Sequence, residues 1–410
     1  MSDVNTPSGN RPERLKNMRK KILPEMKMED IEDLDRSLRR KRMRRIRRIA
    51  LGLLVVVLLV LVYKIVRGIR AYSTYTTVWE NEEMGSTTAS YAEMDGMILR
   101  VTMDGVTCLD TSGETIWNYG YSMRNPHVEV SGGYAIIADI QNTNAVIASK
   151  EGVQGTVSTT RSILNVSISE YGVAAIVQDD TSANYITFYD SYGTALDIEI
   201  KTILSGDGYP IDIALSPSGT GLVTSVVYLD QSQMQNQITF YNFDVGKSES
   251  NRVVGYFNCG DVMYPQVTYL TDTIVCAFGD SQMDFYSLKN ESQPKLTDSV
   301  EFEDNIYSVC ASDTQVAVVT RTEDVNRILR VYDISGNLKY EKEVDFDYTN
   351  LKFSNGSVVL FNSAECMILN AKGKVRYSGT LDASIRDLTV LDDSSCIVMG
   401  SASMKKVRFH

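Results

Sequence analysis

"VYDISGNLKY", residues 331–340, reads as a strand, a turn and the start of a second strand. Its centre has a short polar side chain, Asp333, at the first position and Gly336 at the fourth, the preferences of a type I turn. The arrangement returns in "CLDTSGETIW" (108–117), "IASKEGVQGT" (147–156), "FYDSYGTALD" (188–197) and "ILNAKGKVRY" (368–377). "FYNFDVGKSE" (240–249) is one residue longer before its Gly, and "FYSLKNESQP" (285–294) lacks the Gly. From Asp110 to Asn370 the turn advances in six steps of about 43 residues, the period of a propeller blade.

Two further strands precede each turn. "PIDIALSPSGTGLVTSVVYLD" (210–230) shows an alternating strand, a Ser-Pro-Ser-Gly turn and a β-branched run. Each unit therefore holds four short antiparallel strands, with the repeated turn joining the outer two. Eight units begin near Thr88, His127, Asn165, Asp212, Gln266, Tyr307, Asn350 and Asp387. The last, from Asp387, supplies only three strands before His410. "YSTYTTVWE" (72–80) alternates and has no unit of its own, so it is expected to pair beside Met404–Phe409 and close a ring. The fold class expected is all-β, an eight-bladed propeller over residues 72–410, with seven blades as the alternative.

Charge is split along the chain. Residues 1–70 hold 19 Lys/Arg and 8 Asp/Glu, and residues 71–410 hold 22 and 44. The acidic body argues against nucleic acid as a partner, since phosphate binding needs a cationic surface. "IALGLLVVVLLVLVY" (49–63) carries no charge, and with snorkelling by Lys64 and Arg67 it predicts a transmembrane signal-anchor helix over 49–67. Residues 28–48, ending in "RRKRMRRIRR", predict a basic juxtamembrane helix, and residues 1–27 a disordered tail. The basic cluster before the span places the N-terminus in the cytoplasm and the propeller outside the membrane.

"VTCLDTSGETIW" resembles the repeat of quinoprotein-type eight-bladed propellers, in which such a turn leads to an outer-strand Trp, here Trp117. "TTVWE" puts Trp79 at the equivalent place, and "IALSPSGTGLVTSVV" is similar to WD40-type blades. The basic tail, single anchor and acidic propeller together resemble a family of membrane-anchored propellers of unknown function from anaerobic Gram-positive bacteria. The resemblance implies a fold, not an activity.

No chemistry-bearing motif stands out. The histidines are His127 and His410, and no metalloprotease, nucleophile-elbow or P-loop pattern occurs. The adjacent cysteines of catalytic quinoproteins and a D-x-[DN]-x-[DN]-G calcium loop are absent too. No metal and no cofactor is expected. Cys108, Cys276, Cys310 and Cys396 fall in strands and are expected to be buried thiols. "NVS" at Asn165, "NES" at Asn290 and "NGS" at Asn355 match the glycosylation pattern, but Asn165 opens an inner strand.

One alignment singles out a candidate site. The residue before the first apolar position of the inner strand is His127, Asn165, Asp212, Gln266, Ser308, Asn350 and Asp387 in seven successive units. Such positions converge near a propeller's axis and could form a polar ligand ring at the channel mouth, although strand starts are commonly polar. The function expected is a non-catalytic protein-binding or scaffold module of the cell envelope. Its expected partner is another envelope protein or, second, a cell-wall polymer. The alternatives are a carboxylate-based or quinoprotein-like enzyme using the channel, or a ligand sensor signalling through a partner.

Overall fold

The computed structural model describes residues 43, 46–60, 71–244, 252–322, 327–381 and 384–410. The chain divides into two units, Met1–Arg70 and Ala71–His410. In the first, residues 46–60 are helical, and their apolar side chains, Leu51 and Leu54 among them, are exposed. No helix among the described residues is long and apolar enough to cross a membrane. The expected span runs on through 61–67, which lie outside the described residues, as do the tail 1–27 and most of 28–48.

The second unit is an eight-bladed β-propeller: eight four-stranded antiparallel sheets, each built from consecutive strands except the last. Blades 1 to 7 occupy residues 90–120, 126–158, 163–203, 209–260, 266–301, 305–344 and 350–380. Blade 8 takes three strands from residues 385–409 and its outer strand from Tyr75–Asn81, as the sequence predicts. The register runs from Tyr75 opposite Phe409 to Asn81 opposite Met404, with a shift between Thr77 and Trp79. Ahead of this strand, Tyr72 bridges to Tyr377 of blade 7 and stacks near Phe409, which itself stacks on Tyr377 at 4.4 Å.

The repeated turn has a definite construction. The Asp333 carboxylate accepts the Ser335 and Asn337 amides, and Gly336 takes φ +83°. Asp110, Asp190 and Asn370 accept the amides two and four residues on in the same way. The Gly serves a second purpose, because the neighbouring blade leans on it. A Cβ at Gly113 would stand 2.8 Å from the Trp79 ring of blade 8, and one at Gly373 would meet the Tyr340 ring of blade 6. Trp117 docks similarly, its indole N–H donating to the Lys150 carbonyl of blade 2 at 3.1 Å. The turn thus both reverses the chain and seats the next-door outer strand.

The core follows the same logic. Buried apolar residues fall into eight clusters, one at each interface between neighbouring blades. Second strands such as Tyr134–Asp139 and Gln315–Arg321 are buried almost throughout because both faces meet a neighbour. Between blades 8 and 1 the buried set is the smallest, Ile98, Leu109, Ile397, Met399 and Met404, with Trp79 packed against it. All six cysteines are thiols. Cys108, Cys276 and Cys396 are buried as expected, whereas Cys310 is only partly so.

Deleting residues 1–70 leaves every blade intact. Deleting residues 1–81 also removes the outer strand of blade 8 and bares the 404–409 edge. The second truncation should unfold about 10 °C or more below the first and aggregate on heating, read by calorimetry with light scattering. Equal midpoints would show that the termini do not hold the ring.

The candidate axial site

The seven aligned polar residues all lie at or near the starts of inner strands, but backbone geometry sorts them into two groups. In blades 3, 4, 6 and 8 the strand begins earlier than alternation suggests, and its pairing skips a residue. The shifts fall between Ile163 and Asn165, Pro210 and Asp212, Ile306 and Ser308, and Ile385 and Asp387. A bulge of this kind re-aims the side chain that follows it.

Each of those four side chains bonds beyond its own blade. The Asn165 amide donates to Asp212 Oδ1 at 3.0 Å, and Asp212 Oδ2 accepts the Val267 N–H of blade 5 at 2.8 Å. Ser308 Oγ lies 2.5 Å from the Tyr348 hydroxyl in the link between blades 6 and 7. Asp387 accepts the Lys352 ammonium of blade 7 at 2.9 and 3.1 Å. The glycosylation match at Asn165 is therefore occupied by an internal bond. His127, Gln266 and Asn350, which have no bulge before them, are exposed. His127 pairs with Glu129 of its own strand at 2.9 Å, and the Asn350 amide donates to Thr349.

The axis is consequently asymmetric. On the side of blades 7, 8 and 1 it is filled by an ionic cluster. Lys352 Nζ lies 2.8 Å from Glu93 Oε1 and 2.9 Å from Asp387 Oδ1. Ser354 and Thr389 hydroxyls donate to Glu93 at 3.0 Å, and Ser354 Oγ accepts the Val390 N–H. Burial alone would depress the Lys352 pKa, but the charges of Asp387 and Glu93 outweigh it and raise it. Burial raises the Asp387 pKa, and Glu93 adds to the rise against the pull of Lys352. One ammonium thus serves two carboxylates. Sequence reasoning missed Glu93 and Lys352, and the available signal was a Lys at an inward position of "NLKFS".

On the side of blades 2 to 5 the axis opens into a cavity of about 510 Å³. Its lining includes His127, Glu129, Asn165, Asp212 and Gln266, and so brings together four of the seven predicted residues. Ser308, Asn350 and Asp387 are not part of it. Burial pushes the Asp212 pKa up to about 6, hydrogen bonds from Val267 and Asn165 oppose the rise, and Glu129's charge adds to it. The hydrogen bond to Glu129 raises the His127 pKa against burial. Tyr269 forms part of the wall by packing its hydroxyl over Gly221, where a Cβ would stand 2.7 Å away.

Two other features lie away from the axis. Asp284 of blade 5 is buried and accepts the Tyr264 and Ser299 hydroxyls at 2.5 Å, which fixes that blade internally. The second and third strands of blade 4, Gly221–Asp230 and Gln233–Asn242, form a long hairpin with Leu229 and Met234 exposed at its tip. No group of three or more His, Cys, Asp or Glu among the described residues is placed to hold a metal ion.

Replacing Lys352 with Met leaves Glu93 and Asp387 facing each other without a counter-charge. The expected loss at neutral pH is about 3–5 kcal/mol by urea unfolding. The pH dependence has a definite sign. Without Lys352 the carboxyl pKa in the fold lies further above its unfolded value, so the protonated form favours folding. The variant should regain stability as pH falls from about 7 toward 4. A variant as stable as wild type at neutral pH would show that the cluster does not bind the blades together.

Comparison with known proteins bears on the fold. BamB from Moraxella catarrhalis superposes with a TM-score of 0.50 at 13% identity, covering 82% of this chain and 100% of that one. Sqt1 from Chaetomium thermophilum gives a TM-score of 0.55 at 12% identity, with the same 82% and 100% coverage. At such identities the likeness is one of fold alone. Curated protein sequences yield no match. Residues 68–409, the whole propeller but its last residue, match one family, and the chain belongs to it: Family of unknown function (DUF5711).

Proposed function

We propose that the chain is a membrane-anchored, extracytoplasmic protein-binding module that receives its partner at the open side of the propeller axis. The carrying observation is the asymmetry of that axis. Blades 7, 8 and 1 bond Lys352, Ser354, Asp387 and Glu93 to one another. Blades 2 to 5 line a cavity in which His127 and Gln266 are exposed. A polar, partly formed recess on a rigid frame suits recognition of a polypeptide segment. The anchor is the helix 49–67 built on the apolar run 49–63, and the orientation follows from the basic residues before it.

A second reading, carboxylate acid–base catalysis in the same cavity, is favoured by one observation. Asp212 is pushed up to about 6, close to where a general acid operates. The binding module is preferred because both Asp212 oxygens already hold internal hydrogen bonds.

Two measurements on intact cells test the reading. A photo-crosslinking residue at Gln266 should give a discrete protein adduct, and one at the exposed Lys295 of the blade 5 outer strand should not. Adducts from Lys295 alone would place the partner on the blade's side. In an otherwise cysteine-free variant, a cysteine at Ser232 should label with a membrane-impermeant maleimide, and one at Ser8 only after lysis. The reverse pattern would overturn the orientation.

A further inference from the structure

The two sides of the axis hold their carboxylates differently. Near blades 8 and 1, Asp387 and Glu93 are bridged by the Lys352 ammonium, at 2.9 and 2.8 Å. In the open cavity, Asp212 and Glu129 are again two carboxylates, close enough for Glu129's charge to act on Asp212. Among the described residues the cavity lining contains no Lys or Arg, and its one basic group, His127, is already bonded to Glu129.

The strand positions sharpen the comparison. Aligning His127 with Asn350 puts Glu129 of blade 2 at the position of Lys352 in blade 7. Apolar neighbours agree: Val128 and Val130 pack into the interface with blade 1, and Leu351 and Phe353 into that with blade 6. Glu129 and Lys352 therefore occupy the same side of equivalent strands. Where blade 7 brings its own ammonium to the axis, blade 2 brings a carboxylate. The propeller around the cavity holds twice as many acidic as basic residues, 44 against 22, and its field favours an incoming cation.

We propose that the cavity of blades 2 to 5 receives a cationic side chain, lysine or arginine, from the protein partner, seated between Glu129 and Asp212 as Lys352 is between Glu93 and Asp387. This rests on the protein-binding reading and names the chemistry of the contact. About 510 Å³ is room for such a side chain with the flanking backbone of an extended segment. Asn165 and the Val267 N–H hold the Asp212 carboxylate in place, so it is oriented before the cation arrives. Glu129 is half-exposed and free to turn from His127 toward the ligand.

Pentalysine is the probe, with fully acetylated pentalysine as the neutral control, titrated against the full-length chain in neutral detergent at low salt. Pentalysine should bind and the acetylated peptide should not. Glu129→Gln should weaken binding about tenfold. Glu129→Lys should abolish it by supplying an internal ammonium. Glu303→Gln, which removes one exposed charge outside the cavity, should change affinity by less than about twofold. Glu129 has one side-chain partner, His127, so these variants are expected to fold. Equal binding of both peptides, or an unchanged affinity in Glu129→Gln, overturns the proposal. The two levels fail separately. Capture of a partner at Gln266 with no effect of Glu129 sinks the cation site and leaves the module. Pentalysine binding as expected without a partner in cells does the opposite.

Discussion

Everything in this propeller depends on the pairing of Tyr75–Asn81 with Met404–Phe409. A blade is a twisted sheet with two apolar faces, and it can bury neither alone. Each of the eight core clusters is shared by two blades, so the stability of one blade is defined only while its neighbours stand. An open ring would expose two such faces at once, with each large apolar side chain costing about 1.5–3 kcal/mol. The interface between blades 8 and 1 has the fewest buried apolar residues, and polar devices reinforce it. The Thr389 hydroxyl of blade 8 donates to Glu93 of blade 1, Trp79 sits on Gly113, and Glu93 reaches the Lys352 cluster at the axis.

The axis shows how a repeated architecture acquires individuality. A bulge turns one inward side chain toward a neighbouring blade or link in four of the inner strands and not in those of blades 2, 5 and 7. Bulged blades consume their polar groups internally. Blade 7 compensates for having none by contributing Lys352 two residues further along its strand. The inner strand of blade 2 has neither a bulge nor a lysine, and blade 5 leaves Gln266 exposed, so the recess opens between them. Thus the site is built where the internal bonding of the ring runs out.

The fold was legible because its signals are local and periodic. The Asp-x-x-Gly turn is written in four adjacent residues, and "TTVWE" stands out as a strand without a sheet. Charged "NLKFS" and the residues around Asp212 were harder. Alternation assigns a residue to one side of a strand, but it cannot register a bulge at Leu164, Ile211, Tyr307 or Arg386, each of which shifts the following residue's role. Nor does local pattern reveal that Glu93 meets Ser354 across 261 positions of sequence. Of the seven aligned residues, the exposed His127 and Gln266 remain candidates for contact with a ligand. Asn165 holds Asp212 in the cavity wall, where the proposed cation would meet it, Asn350 bonds to Thr349, and Ser308 and Asp387 bond beyond their own blades.

Amide hydrogen exchange of the propeller tests the central claim, that closure by the N-terminal strand underwrites all eight blades. If it does, the hydrogen-bonded amides of residues 75–81 can exchange only when the ring opens. They should be as protected as buried second strands such as 134–139 and 315–321, and better protected than the outer strands 295–301 and 338–344. If 75–81 exchanges as fast as those outer strands while the second strands stay protected, the strand frays independently and the ring is held by something else.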